Sequence, residues 1–289
     1  MIHNTMHKYW HDEWDRVLIQ YPLATTSMKP AQQVERWDLA AKTYGVQLGM
    51  NNERVWDVME MIKSMHLLNR NSLVLDIGCG TGAYAIPFSS VAGFVDALDF
   101  SPEMLNILAQ QIESSGIDNI RLFEERFDVF AERATREKKQ YDLVFTSLNP
   151  GLYNGESIMA MTALCRGYCI YIAAKRITTQ SEKDLDPVIL NVDCTILKGS
   201  NVIYPFNMLY TMGYDPQMLY TSYYSERTET KEVAVDRLIQ NYQEKCVRTA
   251  GLEDTVTRYV EEHLTQNLFV EKTSGVLGVL IWKVPMLPI

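Results

Sequence analysis

The chain of 289 residues is 47% apolar and 22% charged, with a formal net charge of -9. That is an ordinary globular composition, long enough for one large α/β domain or two small ones. The acidic balance works against binding phosphate backbones or anionic membranes, and the compact basic cluster Arg133, Arg136, Lys138 and Lys139 reads as a solvated helix face.

No apolar run reaches transmembrane length. The first residues lack the cationic-then-apolar order of a secretory leader, so a cytoplasmic protein is expected. Five cysteines, at 79, 165, 169, 194 and 246, read as reduced and mostly buried thiols. Cys165 and Cys169 match the start of an iron–sulfur C-x3-C-x2-C pattern, but Ile172 stands where its third cysteine belongs.

Residues 6–20 carry Trp10, Trp14, Val17 and Leu18 at helical spacing. His3, His7 and His11 recur every fourth residue, yet no fixed carboxylate or cysteine frames them, so a solvated face and no metal are expected. After Tyr21-Pro22, two further helices are predicted: 31–50 with Trp37, Ala40, Ala41 and Tyr44, and 52–67 with Val55, Val58, Met59, Ile62 and Leu67. Residues 1–70 are read as a helical cap over the ligand edge of the sheet that follows, because alone they bury too little surface.

From Leu73 the periods alternate. Strands are predicted at 73–77, 94–99, 120–124, 141–146 and 168–173, with helices at 82–91, 102–115, 128–139 and 156–165 between them. Ser101 caps the second of these helices, and Pro102 takes its first position. Such alternation implies a parallel, doubly wound sheet with right-handed crossovers. Residues 178–187 are polar and 188–197 apolar without a firm assignment. Helices are expected at 201–213, 229–246 and 253–265, and strands at 218–224, 267–271 and 276–284, the last two adjacent or in a hairpin around Lys272-Thr273-Ser274-Gly275.

Leu73 to Asp99 organises the chain. An apolar strand runs into Gly78, Gly80 and Gly82, a helix follows, and a second strand ends on Asp99. The spacing is G-x-G-x-G, and Asp76 stands two residues before the first glycine. A dinucleotide fold aims its helix start at a pyrophosphate, an anion that Asp76 would repel; the same carboxylate attracts an ammonium group. A nicotinamide-dependent dehydrogenase is therefore disfavoured.

Here the chain resembles the class I S-adenosylmethionine-dependent methyltransferases, over about residues 70–284. Asp76–Gly82 matches their D-[IVL]-G-C-G-T-G motif at every position, and Asp99–Leu105 matches D-x-S-x-x-M-[LI]. The resemblance implies S-adenosylmethionine as cofactor and S-adenosylhomocysteine as product. It places Asp76 at the methionine amino group, and Gly78, Cys79, Gly80, Thr81 and Gly82 under methionine and ribose. Asp99 then accepts the ribose hydroxyls, and Phe100 and Met104 flank the adenine. Where the family carries an acidic residue after strand three, this chain has Arg126, followed by Phe127; Glu125 or Asp128 is expected to substitute, or backbone and stacking alone to hold the adenine. Trp37 and Tyr44 look like the aromatic residues that some relatives set against the methionine end.

The expected fold is a doubly wound, mostly parallel seven-stranded sheet with helices on both faces, the N-terminal cap (1–70) and a methyltransferase domain (71–289). Within that domain, 178–265 is expected to contain acceptor-side additions, including a helical insertion before the last strands. The acceptor loop should follow strand four, from Ser147, counted with the cofactor residues, through Asn149 to Tyr153. It is weakly similar to the [ND]-P-P-[YF] motif of amino-group methyltransferases, which makes Asn149 and Tyr153 the candidate catalytic residues. No histidine lies near a strand end, which disfavours a histidine base. Tyrosines 204, 210, 214, 220, 223 and 224 could cage a cationic acceptor, though packing is favoured. The function expected is in-line methyl transfer to a small molecule by a monomer or homodimer, without nucleic acid, membrane or metal. The alternatives are a protein or RNA acceptor, or a non-catalytic S-adenosylmethionine-binding module.

Overall fold

The computed structural model describes residues 3–20, 29–49, 52–152, 154–190, 202–244 and 251–285. Three helices, α1 (His3–Gln20), α2 (Pro30–Gly49) and α3 (Asn52–Ser64), precede β1 (Leu73–Ile77). Alternation follows through α4 (Ala85–Ser89), β2 (Phe94–Asp99), α5 (Pro102–Ser115), β3 (Ile120–Glu124), α6 (Phe127–Arg136), β4 (Tyr141–Ser147), α7 (Gly155–Ala163) and β5 (Cys165–Thr179). The remainder is α8 (Gln180–Ile189), α9 (Ile203–Thr211), β6 (Gln217–Thr230), α10 (Lys231–Glu244), α11 (Leu252–Glu262), β7 (Leu264–Thr265) and β8 (Leu268–Lys283).

The sheet runs β3-β2-β1-β4-β5-β8-β6, seven strands on one path, with two-residue β7 paired to β8 beside it. β1 pairs in parallel with β2 and β4, β2 with β3, and β4 with β5. Strand order reverses at β1, whose neighbours β2 and β4 continue in opposite directions. An open α/β sheet receives its ligand there, beyond the carboxyl ends of the strands. Val74, Leu75 and Ile77 are buried, as are Val95, Ala97, Leu98, Leu143, Val144 and Phe145, so these strands read as unbroken apolar runs.

Several boundaries differ from expectation for physical reasons. α4 starts only at Ala85, because residues 78–84 form a loop in which Gly78, Gly80 and Gly82 all take positive φ. The two strands expected at 267–271 and 276–284 are one, β8. Gly275 does not break it: a Cβ there would lie 2.0 Å from the Arg176 carbonyl oxygen, so this glycine serves close strand approach. The hairpin instead joins β7 to β8 through Gln266 and Asn267, both at positive φ. The polar residues after 178 form α8, opened by a capping box in which Thr179 Oγ1 accepts from Glu182 N and Glu182 Oε2 accepts from Thr179 N. Residues 191–197, within the unassigned apolar stretch, lie outside the described residues, as do Cys194 and Cys246.

The chain divides into two compact units: Met1–Lys175 with Lys198–Thr221 and Leu277–Ile289, and Arg176–Leu197 with Ser222–Val276. In the first, Leu75, Ile77, Leu98, Val144, Cys169 and Trp282 form the core, and α1 joins it through Trp14, stacked on Tyr204 of α9. His11 is not on a solvated face: a Cβ on Gly155 would lie 2.2 Å from its ring, and its Nδ1 is 3.3 Å from Asp15. Among the described residues no three His, Cys, Asp or Glu side chains are grouped to hold a metal. No described helix is long and apolar enough to cross a membrane. The second unit packs Leu185, Ala234, Leu238, Tyr242, Val256, Val260 and Phe269 together. Its buried carboxylates are engaged: Glu271 accepts from Ser181 and Arg237, and Asp186 accepts from the Tyr242 hydroxyl at 2.6 Å.

Candidate functional site

A cavity of about 700 Å³ opens within the first unit beside the carboxyl ends of β1, β2 and β4, a volume in the range of small-molecule sites. Asp76, the fourth residue of β1, is buried at 2% exposure, and its Oδ2 has no hydrogen-bond partner among the described residues. Burial pushes its carboxyl up to about 8, the nearby Asp99 charge adds to this, and a backbone hydrogen bond from Ala85 works against it.

The glycine loop is strapped to β2. Gly78 N and Cys79 N both donate to the Leu98 carbonyl, at 2.7 and 3.0 Å. Gly80 N donates to Asp99 Oδ2 at 2.9 Å, and Ser101 N donates to Asp99 Oδ1 at 2.9 Å. The Phe100 backbone N–H donates to the same carboxylate, which has about four acceptor sites in all, and the residue borders the cavity. Burial raises its carboxyl above the usual range, opposed by these backbone donors. Gly78, Cys79 and Gly80 line the cavity, whereas Thr81 and Gly82 do not. A Cβ on Gly82 would lie 2.3 Å from Leu108, so that glycine admits α5 rather than a ligand. The Thr81 carbonyl accepts from Gln111.

Ser101 does two things at the start of α5. Its Oγ accepts from Met104 N at 3.2 Å and donates to Asp38 Oδ1 at 2.6 Å, which moors α2 to this helix. Trp37, one residue before Asp38, lines the cavity. The side chain of Tyr44 lies outside the described residues.

Phe100, Met104, Phe127 and Ala131 give one end of the cavity apolar walls. Arg126 borders it too, its guanidinium 3.2 Å from Asp128 and 3.4 Å from the Gln33 side-chain oxygen. Glu125 is held by Arg133 at 2.6 Å. Both carboxylates that could replace the missing acid are thus engaged by arginines.

At the other end stand Ser147, Leu148 and Asn149. The Asn149 amide is committed on both sides: Nδ2 donates to the Ile77 carbonyl at 3.2 Å, and Oδ1 accepts from Gly151 N at 2.8 Å. It fastens the loop to β1. Tyr153 lies outside the described residues. Two residues that sequence reasoning missed, Arg54 and Tyr84, also line this end. Arg54 had a legible signal: it is a charge one turn before Val58, on the buried face of α3, and is itself 8% exposed. Asp38 and Tyr84 had none, since their partners are distant in sequence.

A switch-point crevice with a glycine loop between the first two of its parallel strands defines a Rossmann-like fold. Residues 74–166 match the family described as a methyltransferase domain. An uncharacterized protein of Haemophilus influenzae is 36% identical over 64 residues, 22% of this chain and 24% of that protein, so the match spans about a quarter of the relative. Among solved structures, the chain is similar to a precorrin-6y C5,15-methyltransferase from Geobacter metallireducens, with 16% identity, a TM-score of 0.45, and 78% of this chain and 88% of that one covered. It is also similar to an rRNA methylase from Streptococcus thermophilus, with 14% identity, a TM-score of 0.37, and 76% and 91% covered. Likeness of this degree says nothing about the acceptor.

Proposed function

We propose that the protein binds S-adenosylmethionine in this cavity and transfers its methyl group to a small-molecule acceptor. The observation that carries the reading is Asp76: a buried carboxyl oxygen without a partner, facing a cavity beside a glycine loop, suits a ligand ammonium. The remaining contacts fit the same ligand. Asp99 presents a carboxylate to a ribose diol, and Phe100, Met104 and Phe127 offer apolar surface to an adenine.

When bound, the cofactor supplies a methyl group on a sulfonium, open to in-line displacement. This chain's residues then hold and align the partners, a contribution that can supply much of such a rate. Asn149 is a positioning residue for the loop after β4 in this reading, since its amide is already engaged on both sides. An acceptor that enters with a free lone pair needs no base. Residues 1–70 act as the cap, with α2 and α3 contributing Trp37 and Arg54 to the wall. The formal charge of -9 supports a small acceptor over RNA, in a cytoplasmic monomer or homodimer. Isothermal titration calorimetry with S-adenosylhomocysteine tests the reading: saturable one-to-one binding is expected, and no heat or competition at millimolar ligand would refute it.

A further inference from the structure

Asp38 ties α2 to one corner of the cavity through a single residue. Ser101 works in three directions there: its N–H donates to Asp99 Oδ1, its Oγ accepts from Met104 N, and the same Oγ donates to Asp38 Oδ1 at 2.6 Å. Glu103 N also donates to Asp38, at 3.4 Å. The carboxylate thus sits at the start of α5, where free N–H groups and the helix dipole favour an anion. A second tie runs to the turn between β3 and α6, where Arg126 Nη1 donates to the Gln33 side-chain oxygen at 3.4 Å. Gln33 and Trp37 line the cavity, so α2 reaches from the α5 corner to the α6 turn across it. Packing holds this helix lightly. Of its side chains from residue 30 to 41, Ala41 alone is buried, and Leu39 is 62% exposed. Segments with few buried apolar side chains open locally at a fraction of the cost of global unfolding.

We infer that α2 is a strap over this end of the cavity, latched by Asp38 on Ser101, and that the cofactor enters and leaves when the latch releases. The inference rests on the proposed cofactor reading. Asp38 itself does not border the cavity, so it acts through Ser101 as a positioning residue. Ser101 holds Asp99 and Met104 N as well as Asp38, so a ligand seated against Asp99 and Met104 favours the corner that the closed strap also favours. Closure and binding then strengthen each other by the same factor.

Surface plasmon resonance on the full chain gives the association and dissociation rates of S-adenosylhomocysteine, and hydrogen exchange read by mass spectrometry follows the amides of residues 30–41. Asp38→Ala is expected to speed dissociation about tenfold, the scale of one charge-assisted hydrogen bond, and to speed association severalfold, because the strap then stands open more often. Exchange over 30–41 should slow when S-adenosylhomocysteine binds the wild-type chain, and should run about tenfold faster in ligand-free Asp38→Ala. Faster dissociation with an unchanged or slower association would show a carboxylate that merely shapes the site, and would overturn the inference. Unchanged dissociation and exchange would overturn it too. A wild-type chain that binds no S-adenosylhomocysteine brings down the functional reading itself, while the ligand-free exchange comparison still tests the latch. Circular dichroism checks the fold; should Asp38→Ala fail to fold, Asp38→Asn, which keeps the shape and loses the charge, carries the same measurements.

Discussion

Gly78 and Asn149 are fitted to each other: a Cβ on Gly78 would lie 2.5 Å from the Asn149 Nδ2. Asn149 cannot swing aside cheaply, because its amide holds the Ile77 carbonyl and the Gly151 N–H. Gly78 also sits at φ 70°, where a side chain costs about 1–2 kcal/mol. Gly78→Ala should therefore destabilise by roughly 2–4 kcal/mol, strain and overpacking together. Thermal denaturation of Gly78→Ala, Asn149→Ala and the double variant checks this. The double variant should lose less than the sum of the singles, since removing the Asn149 amide relieves the clash and leaves the strain. Strict additivity would show that the two residues do not meet.

Asp76→Asn should make the ligand-free protein more stable near neutral pH while removing its affinity for the cofactor. The Asp76 carboxyl is raised to about 8 in the fold, against roughly 4 in an unfolded chain. Below about pH 4 both states keep the proton, and there is no effect. From there up to about pH 8 the unfolded chain releases its proton and the folded one retains it, so stability falls as pH rises. Asparagine escapes that loss. The melting temperature of Asp76→Asn should exceed wild type by a few degrees at pH 7 and match it near pH 4, while S-adenosylhomocysteine binding weakens more than about tenfold. A variant less stable than wild type at pH 7 would contradict the account.

The centre of the sheet was legible because β1, β2 and β4 are buried and read as continuous apolar runs, and the glycine motif located the crevice. What was not legible is long-range or conformational. Asp38 reaches Ser101 across 63 positions, with nothing local to announce it. Gly275 carries the signature of a turn and serves instead to let β8 pass the backbone at Arg176. Thr81 and Gly82 belong to the motif, yet they face the Gln111 side chain and Leu108 rather than the cavity, because a tight loop turns its later residues toward the helix packed behind it. The Thr179 and Glu182 capping box was readable and shows how a polar run can still open a helix.

Recognition of the adenine amino group should be weak. The two carboxylates near that end are engaged, Glu125 by Arg133 and Asp128 by Arg126, and the Arg126 guanidinium is a donor only. An acidic residue would accept from an exocyclic amine and repel a carbonyl, whereas a guanidinium has no such preference for the amine. S-inosylhomocysteine, which carries a carbonyl at that position, is expected to bind within about fivefold of S-adenosylhomocysteine, where loss of one charged contact would give about tenfold or more. Arg126→Glu should restore discrimination in favour of the adenine. Competition titration with both nucleosides measures it, and a strong wild-type preference for S-adenosylhomocysteine would show that Glu125 or Asp128 leaves its arginine on binding.

Cofactor binding should also release a proton. With its carboxyl near 8, Asp76 is mostly protonated at pH 7 in the ligand-free protein. A ligand ammonium beside it favours the ionised form, so the proton leaves as the ligand enters. Asp99 is raised as well, but its partners would be neutral hydroxyls and the backbone N–H groups already in place, which give it no comparable drive to ionise on binding. The apparent binding enthalpy of S-adenosylhomocysteine at pH 7 should then differ between phosphate and Tris by close to one proton's worth of buffer ionisation heat. Affinity should rise from pH 6 toward pH 8, by as much as tenfold per unit while Asp76 alone titrates. Asp76→Asn should abolish the buffer dependence. Heats that are identical in the two buffers for the wild-type chain would place the ammonium away from Asp76.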